Sequence, residues 1–111
     1  MGKLIARGKG ADDVYTGCGE TTTFGTNSRK VYVAGTLVHI DGDKNSPHMV
    51  EGTDPCTIPG HQSSVIASTE SVLIGGKGVA RLGDLYDNSK THGGDAIVKI
   101  SKVNQTSVYA G

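Results

Sequence analysis

Apolar residues along this chain come in short β-branched runs cut by glycine, and the runs recur. The stretches "SRKVYVAGTLVHIDGD" (28–43) and "TESVLIGGKGVARLGD" (69–84) align without a gap, Val31 falling on Val72, an offset of 41. Val33 then falls on Ile74, Gly35 on Gly76, Val38 on Val79, and Gly42-Asp43 on Gly83-Asp84. Each stretch predicts a short strand, a glycine turn, a second short strand and a closing Gly-Asp turn. The hairpin turns fall at Ala34-Gly35 and Gly75-Gly76, where glycine accepts the positive φ that a tight hairpin requires. The closing "TSVYAG" (106–111) matches the opening of the unit, and the early "KLIARGKGADD" (3–13) matches its close. The pattern therefore predicts three copies of one unit, with the chain ends cutting through a copy. No segment sustains the i, i+3, i+4, i+7 spacing of an amphipathic helix, so the predicted fold class is all-β. Three pseudo-repeated β-hairpin units about a common axis would make a small, tapering body.

Composition adds one constraint. Across 111 residues the chain is 35% hydrophobic but only 5% aromatic, so a single domain spanning 1–111 would have a thin core. Small domains of this kind often need a disulfide or a structural metal. Eleven basic residues balance eleven acidic ones, and no block of like charge stands out, which argues against nucleic acid or an anionic membrane surface as partner. The start "MGKLIARGKG" lacks a signal-peptide apolar stretch, and no window reaches the length of a membrane span. In a chain without an export signal, Cys18 and Cys56 suit metal binding or free thiols better than a disulfide.

The segments between the repeats hold nearly all the metal-capable side chains. The first, "ADDVYTGCGETTTFG", carries Cys18; the second, "KNSPHMVEGTDPCTIPGHQSS", carries His48, Cys56 and His61; the third, "LYDNSKTHGGDAIVK", carries His92. All three segments read as irregular loops. Cys18, His61 and His92 each stand shortly before the next strand start, at Val31, Val72 and Val108. Around a common axis these three would converge, and His48 or Cys56 would complete a tetrahedral set suited to zinc, with iron as the alternative. His39, inside the strand-like "TLVHI", reads as a strand residue without chemistry. Asp43 and Asp84 read as residues that hydrogen-bond their own turns.

Catalytic patterns are weak. Cys56 could pair with His61 or His92, but "TIPG" follows it instead of an oxyanion loop. The glycine-rich "GGKGVARLG" has Ser71 where a phosphate-binding loop ending at Gly76-Lys77 needs glycine. A non-enzymatic protein is expected. A hydrolase using metal-bound water would need an open coordination position, which four protein ligands would close.

At "GVARLGD" the chain resembles the PAAR-repeat family. "SVLIGGKGVARLGD", "KVYVAGTLVHIDGD", "IARGKGADD" and "SVYAG" together cover the chain from Ile5 to Gly111. Ala80 and Arg81 match the name motif while its proline is missing, and the copy at Leu37-Val38-His39-Ile40 keeps only hydrophobic character. The resemblance implies a small conical fold capping a trimeric β-helical spike as a membrane-piercing tip, one copy per spike, and the repeats, which fill the sequence, lead us to expect no extension domain. Such spikes belong to contractile injection machines, in a phage tail baseplate or a type VI secretion system. The implied location is the virion tail tip or the secreted spike, after synthesis in a bacterial cytoplasm. It also implies one metal near the tip, held by three His and one Cys. Relatives place "GHG" in the first inter-repeat loop and "CGG" in the third, whereas this chain has Gly17-Cys18-Gly19 and His92-Gly93-Gly94. The implied ligand set is Cys18, His48, His61 and His92 with the ligand types exchanged, and Cys56 is the alternative Cys ligand. A second expectation is a small metal-binding adaptor that attaches effector cargo to the spike.

Overall fold

In the computed structural model, which describes residues 2–16, 20–25, 31–50, 58–67, 69, 72–87 and 98–110, two hairpins stand where the repeat predicts them. Numbered among all the strands in chain order, they are β4 (Tyr32–Val33) with β5 (Thr36–Leu37), and β8 (Leu73–Ile74) with β9 (Lys77–Gly78). Their registers match: Tyr32 pairs with Leu37 and Val33 with Thr36, while Leu73 pairs with Gly78 and Ile74 with Lys77. Both turns take positive φ at both central residues, 49° and 84° at Ala34-Gly35 and 59° and 83° at Gly75-Gly76. That double positive φ matches the right-handed twist of the flanking strands. A third antiparallel pair joins the chain ends, β1 (Lys3–Leu4) with β11 (Tyr109–Ala110), Lys3 opposite Ala110 and Leu4 opposite Tyr109.

Beyond these hairpins the chain forms a closed cycle of backbone bonds. Ala6 N–H donates to the Ala80 carbonyl at 2.8 Å, Ala80 to His39 at 2.8 Å, and His39 to Ala6 at 3.1 Å. Bridges Ile5–Arg81, Arg7–Val38 and Ile40–Val79 flank that cycle in the same rotation. Each segment also leans on its own hairpin, with Ile5, Val38 and Val79 donating to the carbonyls of Val108, Val31 and Val72. Successive side chains on these extended segments point to opposite faces. Ile5, Val38, Val79 and Ile40 pack on one face with Val33 and Ala110, and Ala6 and Ala80 on the other with Val14, Val65, Tyr86, Val98 and Ile100. The core is thus two small clusters on either side of the cycle, which suits a chain with little aromatic volume.

Asp12, Asp43 and Asp84 fasten the cycle's outgoing ends. Their Oδ2 atoms accept the backbone N–H of Arg7 at 2.6 Å, Ile40 at 2.8 Å and Arg81 at 2.9 Å. A carboxylate accepting a backbone N–H makes a stronger bond than a neutral acceptor, and each here locks the turn that follows.

The second core cluster is enclosed by a ring of paired segments. β2 (Asp13–Tyr15) lies between β3 (Glu20–Thr22) and β10 (Lys99–Lys102). Single bridges continue the circuit: Thr23–Asn45, Lys44–Ser64, Val65–Tyr86 and Leu85–Lys99, which returns to β10. Six antiparallel segments therefore close on one another, and closure leaves no free edge in the ring. Segments 12–15, 43–46 and 84–87 alternate with antiparallel neighbours, so all three run the same way. The remaining hairpin, β6 (His48–Val50) with β7 (Ile58–His61), is described by backbone alone.

No helix occurs among the described residues, and the class is all-β. The inter-repeat segments differ from the sequence reading. They hold β2, β3, β6, β7 and the bridged residues Lys44, Asn45, Ser64, Leu85, Tyr86 and Lys99, because polar backbone can pair without an alternating apolar pattern to announce it. Glu20–Thr22, wholly polar, is a strand through its ladder to β2. The radius of gyration, 13.3 Å, is what about 110 residues give when compact, and the principal extents of 39 × 24 × 23 Å make the body elongated.

Candidate functional site

The three same-sense segments 12–15, 43–46 and 84–87 leave the ring at one end. The connections that follow them carry every candidate metal ligand. Among these residues the backbone of β6 and β7 is described, and its register sets His48 directly opposite His61. Residues directly opposite in an antiparallel pair have α-carbons about 4.5–5.5 Å apart, close enough for two ligands of one ion. The register shifts between His48 and Val50, as a bulge does when it re-aims a strand. Cys18, Cys56 and His92 lie outside the described residues. Among the described residues no group of three or more His, Cys, Asp or Glu could hold a metal ion.

The fourth histidine, His39, is fully buried. Its Nδ1 sits 3.0 Å from the Gly25 carbonyl and its Nε2 2.9 Å from the Tyr86 hydroxyl. A carbonyl can only accept, so Nδ1 carries the ring proton and Nε2 accepts from Tyr86 O–H. The ring is neutral: burial pushes its pKa down to about 4, against the pull of the Gly25 carbonyl. Asp43 Oδ2 stands 3.8 Å from the same Nδ1. Burial, with help from the nearby carboxylates of Asp43, Asp84 and Asp12, pushes the Tyr86 phenol up, so it stays a donor. His39 takes the position in the cycle that Ala6 and Ala80 hold elsewhere, and its ring fills space those alanines leave to other side chains. Its partner Tyr86 lies 47 residues away in sequence, so the pair had no local signal beyond a polar residue in an apolar strand.

Two arginines of the repeat meet their own aspartates. Arg7 Nη2 approaches Asp12 Oδ1 at 3.5 Å, and Arg81 Nη2 approaches Asp84 Oδ1 at 3.8 Å. Burial raises the Asp84 pKa, opposed by its bond from Arg81 N–H and the charges of Arg81 and Lys3. These ion pairs hold the turns that follow the cycle.

Each hairpin exposes one large apolar side chain on a strand, beside exposed Lys77 and Lys3 in two of them. Tyr32, Leu73 and Tyr109 are 61%, 54% and 56% exposed. Each precedes a residue that packs into or against the first core cluster, Val33, Ile74 and Ala110. The alignment that equates Val31, Val72 and Val108 puts these three in register one position later, so the signal was present in the sequence and passed over. No known family model matches the chain, and no curated protein matches it.

Proposed function

We propose that this protein is a non-enzymatic, metal-stapled tip that caps a trimeric β-helical spike of a contractile injection machine. The observation that carries the reading is the closed cycle Ala6–Ala80–His39 with its three hairpins, each presenting a large exposed apolar side chain on one strand, Tyr32, Leu73 or Tyr109. A single chain that must sit on a threefold trimer needs three quasi-equivalent contacts, and three pseudo-repeated units supply them. Burying large apolar side chains on association is favourable by roughly 25 cal/mol per Å². A flat trimer end would thereby add the burial that a thin core lacks.

The staple belongs to the opposite business of the molecule, the connections leaving the ring. His48 and His61, as register partners, fit two positions of a tetrahedral site; Cys18 and His92 would supply the others, with Cys56 as the alternative thiolate. When bound, zinc or iron would crosslink three connections, and such crosslinks stabilise small folds by several kcal/mol or more. The conical shape and the converging loops are part of this proposal.

Two measurements test it. Elemental mass spectrometry on untagged protein should find about one zinc or iron per chain; a metal-free protein after chelator-free purification removes the staple. Native mass spectrometry after co-expression with the trimeric spikes of the same genome should find one chain per trimer. That complex should be lost when Tyr32, Leu73 and Tyr109 are all changed to glutamate. Survival of the complex in the triple variant would refute the hairpin face as the docking surface.

A further inference from the structure

Three turn glycines follow the cycle and make the same bond. Gly10, Gly42 and Gly83 donate to the carbonyls of Thr23, Val65 and Ile100, with φ of 76°, 88° and 92°. Their surroundings differ. The space a Cβ would take at Gly10 meets the Thr22 hydroxyl at 3.8 Å, and at Gly42 it meets the Lys77 ammonium at 3.9 Å, but at Gly83 it meets nothing within 4 Å. The residue before Gly83 is Leu82, which packs on the core, where the corresponding Asp41 instead accepts the Ala67 N–H.

The opening at Gly83 is a groove of about 540 Å³ lined by Tyr15, Leu82, Lys99, Ile100 and Ser101, with the Ile100 side chain itself buried beneath it. A second hollow of about 280 Å³ meets it at Gly83 and carries Ile66, Leu85, Lys3 and Arg81. Ile66 and Leu85 are 53% and 44% exposed, so the apolar strip is open to solvent. The charges around it are mainly positive. Among the described residues Lys3 and Lys99 have no ion pair, while Arg81 and Asp84 are already paired. Arg81 Nε is buried with no hydrogen-bond partner. Glu20, whose carboxylate accepts from the Ser101 hydroxyl at 3.5 Å, bounds the groove on one side. Ser101 itself lies at the register shift between Ile100 and Lys102, where a bulge interrupts the ladder.

We propose that this groove docks an extended, acidic and apolar segment of one partner protein chain. The exposed Tyr15, Ile66 and Leu85 would take alternate side chains of such a segment, and Lys3 and Lys99 would meet its carboxylates. The groove and hollow meet at the single residue Gly83 and so suit one bound segment, whereas the hairpins repeat three times. The inference goes beyond the spike-tip reading and does not depend on it.

The test is two-dimensional NMR of the full chain titrated with a short synthetic peptide alternating glutamate and leucine. Shift changes should centre on Tyr15, Leu82, Gly83 and Ile100 and saturate below about 1 mM. Lys3→Glu with Lys99→Glu, both at exposed positions, should weaken binding roughly tenfold or more while the rest of the spectrum stays folded. No shift at these residues, shifts centred on the hairpins, or equal binding of a lysine–leucine peptide would overturn the proposal. Equal saturation by laurate, an anionic amphiphile with no peptide backbone, would overturn the assignment of a protein segment. None of these outcomes requires the spike, so failure here and failure of the spike-tip reading are separate results.

Discussion

His39 converts acid into lost stability, and the size of the effect follows from its burial. The ring is neutral in the fold with a pKa of about 4, against 6.5 in the unfolded chain. Between those values the unfolded chain binds a proton that the fold refuses. Stability is therefore full above pH 6.5 and declines as pH falls, levelling off near pH 4 once both states are protonated. A gap of about 2.5 units at 1.36 kcal/mol each gives roughly 3 kcal/mol. Asp43, 3.8 Å away, would favour the imidazolium and works against this loss. Urea denaturation from pH 7 to 4.5, on the natural chain and on His39→Leu, isolates the term, since metal and carboxylate contributions are common to both. Removing the polar ring leaves the Tyr86 hydroxyl and the Gly25 carbonyl without their partner, so the variant should start less stable at pH 7. The difference between the two chains should then shrink by 2–3 kcal/mol on acidification. A difference that stays constant across this range would refute the neutral buried ring.

Four further outcomes follow from particular contacts. Tyr86→Phe leaves His39 Nε2 buried without a donor and should cost about 1–3 kcal/mol at pH 7, read from the urea midpoint. Gly78→Ala would put a Cβ 2.7 Å from the Thr69 carbonyl and 3.1 Å from that of Ala67, so it should destabilise by about 1–3 kcal/mol; an unchanged melting temperature would contradict that close approach. Ala34→Gly relieves a φ of 49° and should raise stability by about 0.5–1 kcal/mol in the same assay. Cys18→Ser should lower metal content and thermal stability while Cys56→Ser leaves both nearly unchanged, and the reverse pattern would assign the thiolate to Cys56.

How much of this was legible depended on whether a residue's partner was local. The gapless match of 28–43 with 69–84 led to both hairpins, since strand, turn and strand lie within a few residues and Gly75-Gly76 announces its φ. Asp43 and Asp84 were legible for the same reason, as each bonds a backbone N–H three residues back. The six-segment ring was not. Its pairs Thr23–Asn45, Val65–Tyr86 and Leu85–Lys99 join distant polar or mixed stretches, and pairing through backbone leaves no imprint on hydrophobic period. The candidate ligands came from residue type and pseudo-equivalence, and the described backbone brings two of them, His48 and His61, to one register pair. The groove at Gly83 was invisible because it depends on what is missing above one glycine.

The pairing of Lys3–Leu4 with Tyr109–Ala110 has a consequence for biogenesis. Ile5 bonds to Val108, and Val14 is laddered to Ile100, so neither the cycle's hairpins nor the six-segment ring is complete until residues 98–110 have been made. At about 5–20 residues per second of synthesis, the nascent chain spends several seconds with its strand edges unpaired. Assembly then waits on closure of the long loop between Ile5 and Val108 and is slow for its size. A chain truncated before Val108 would keep open edges, and such edges template aggregation.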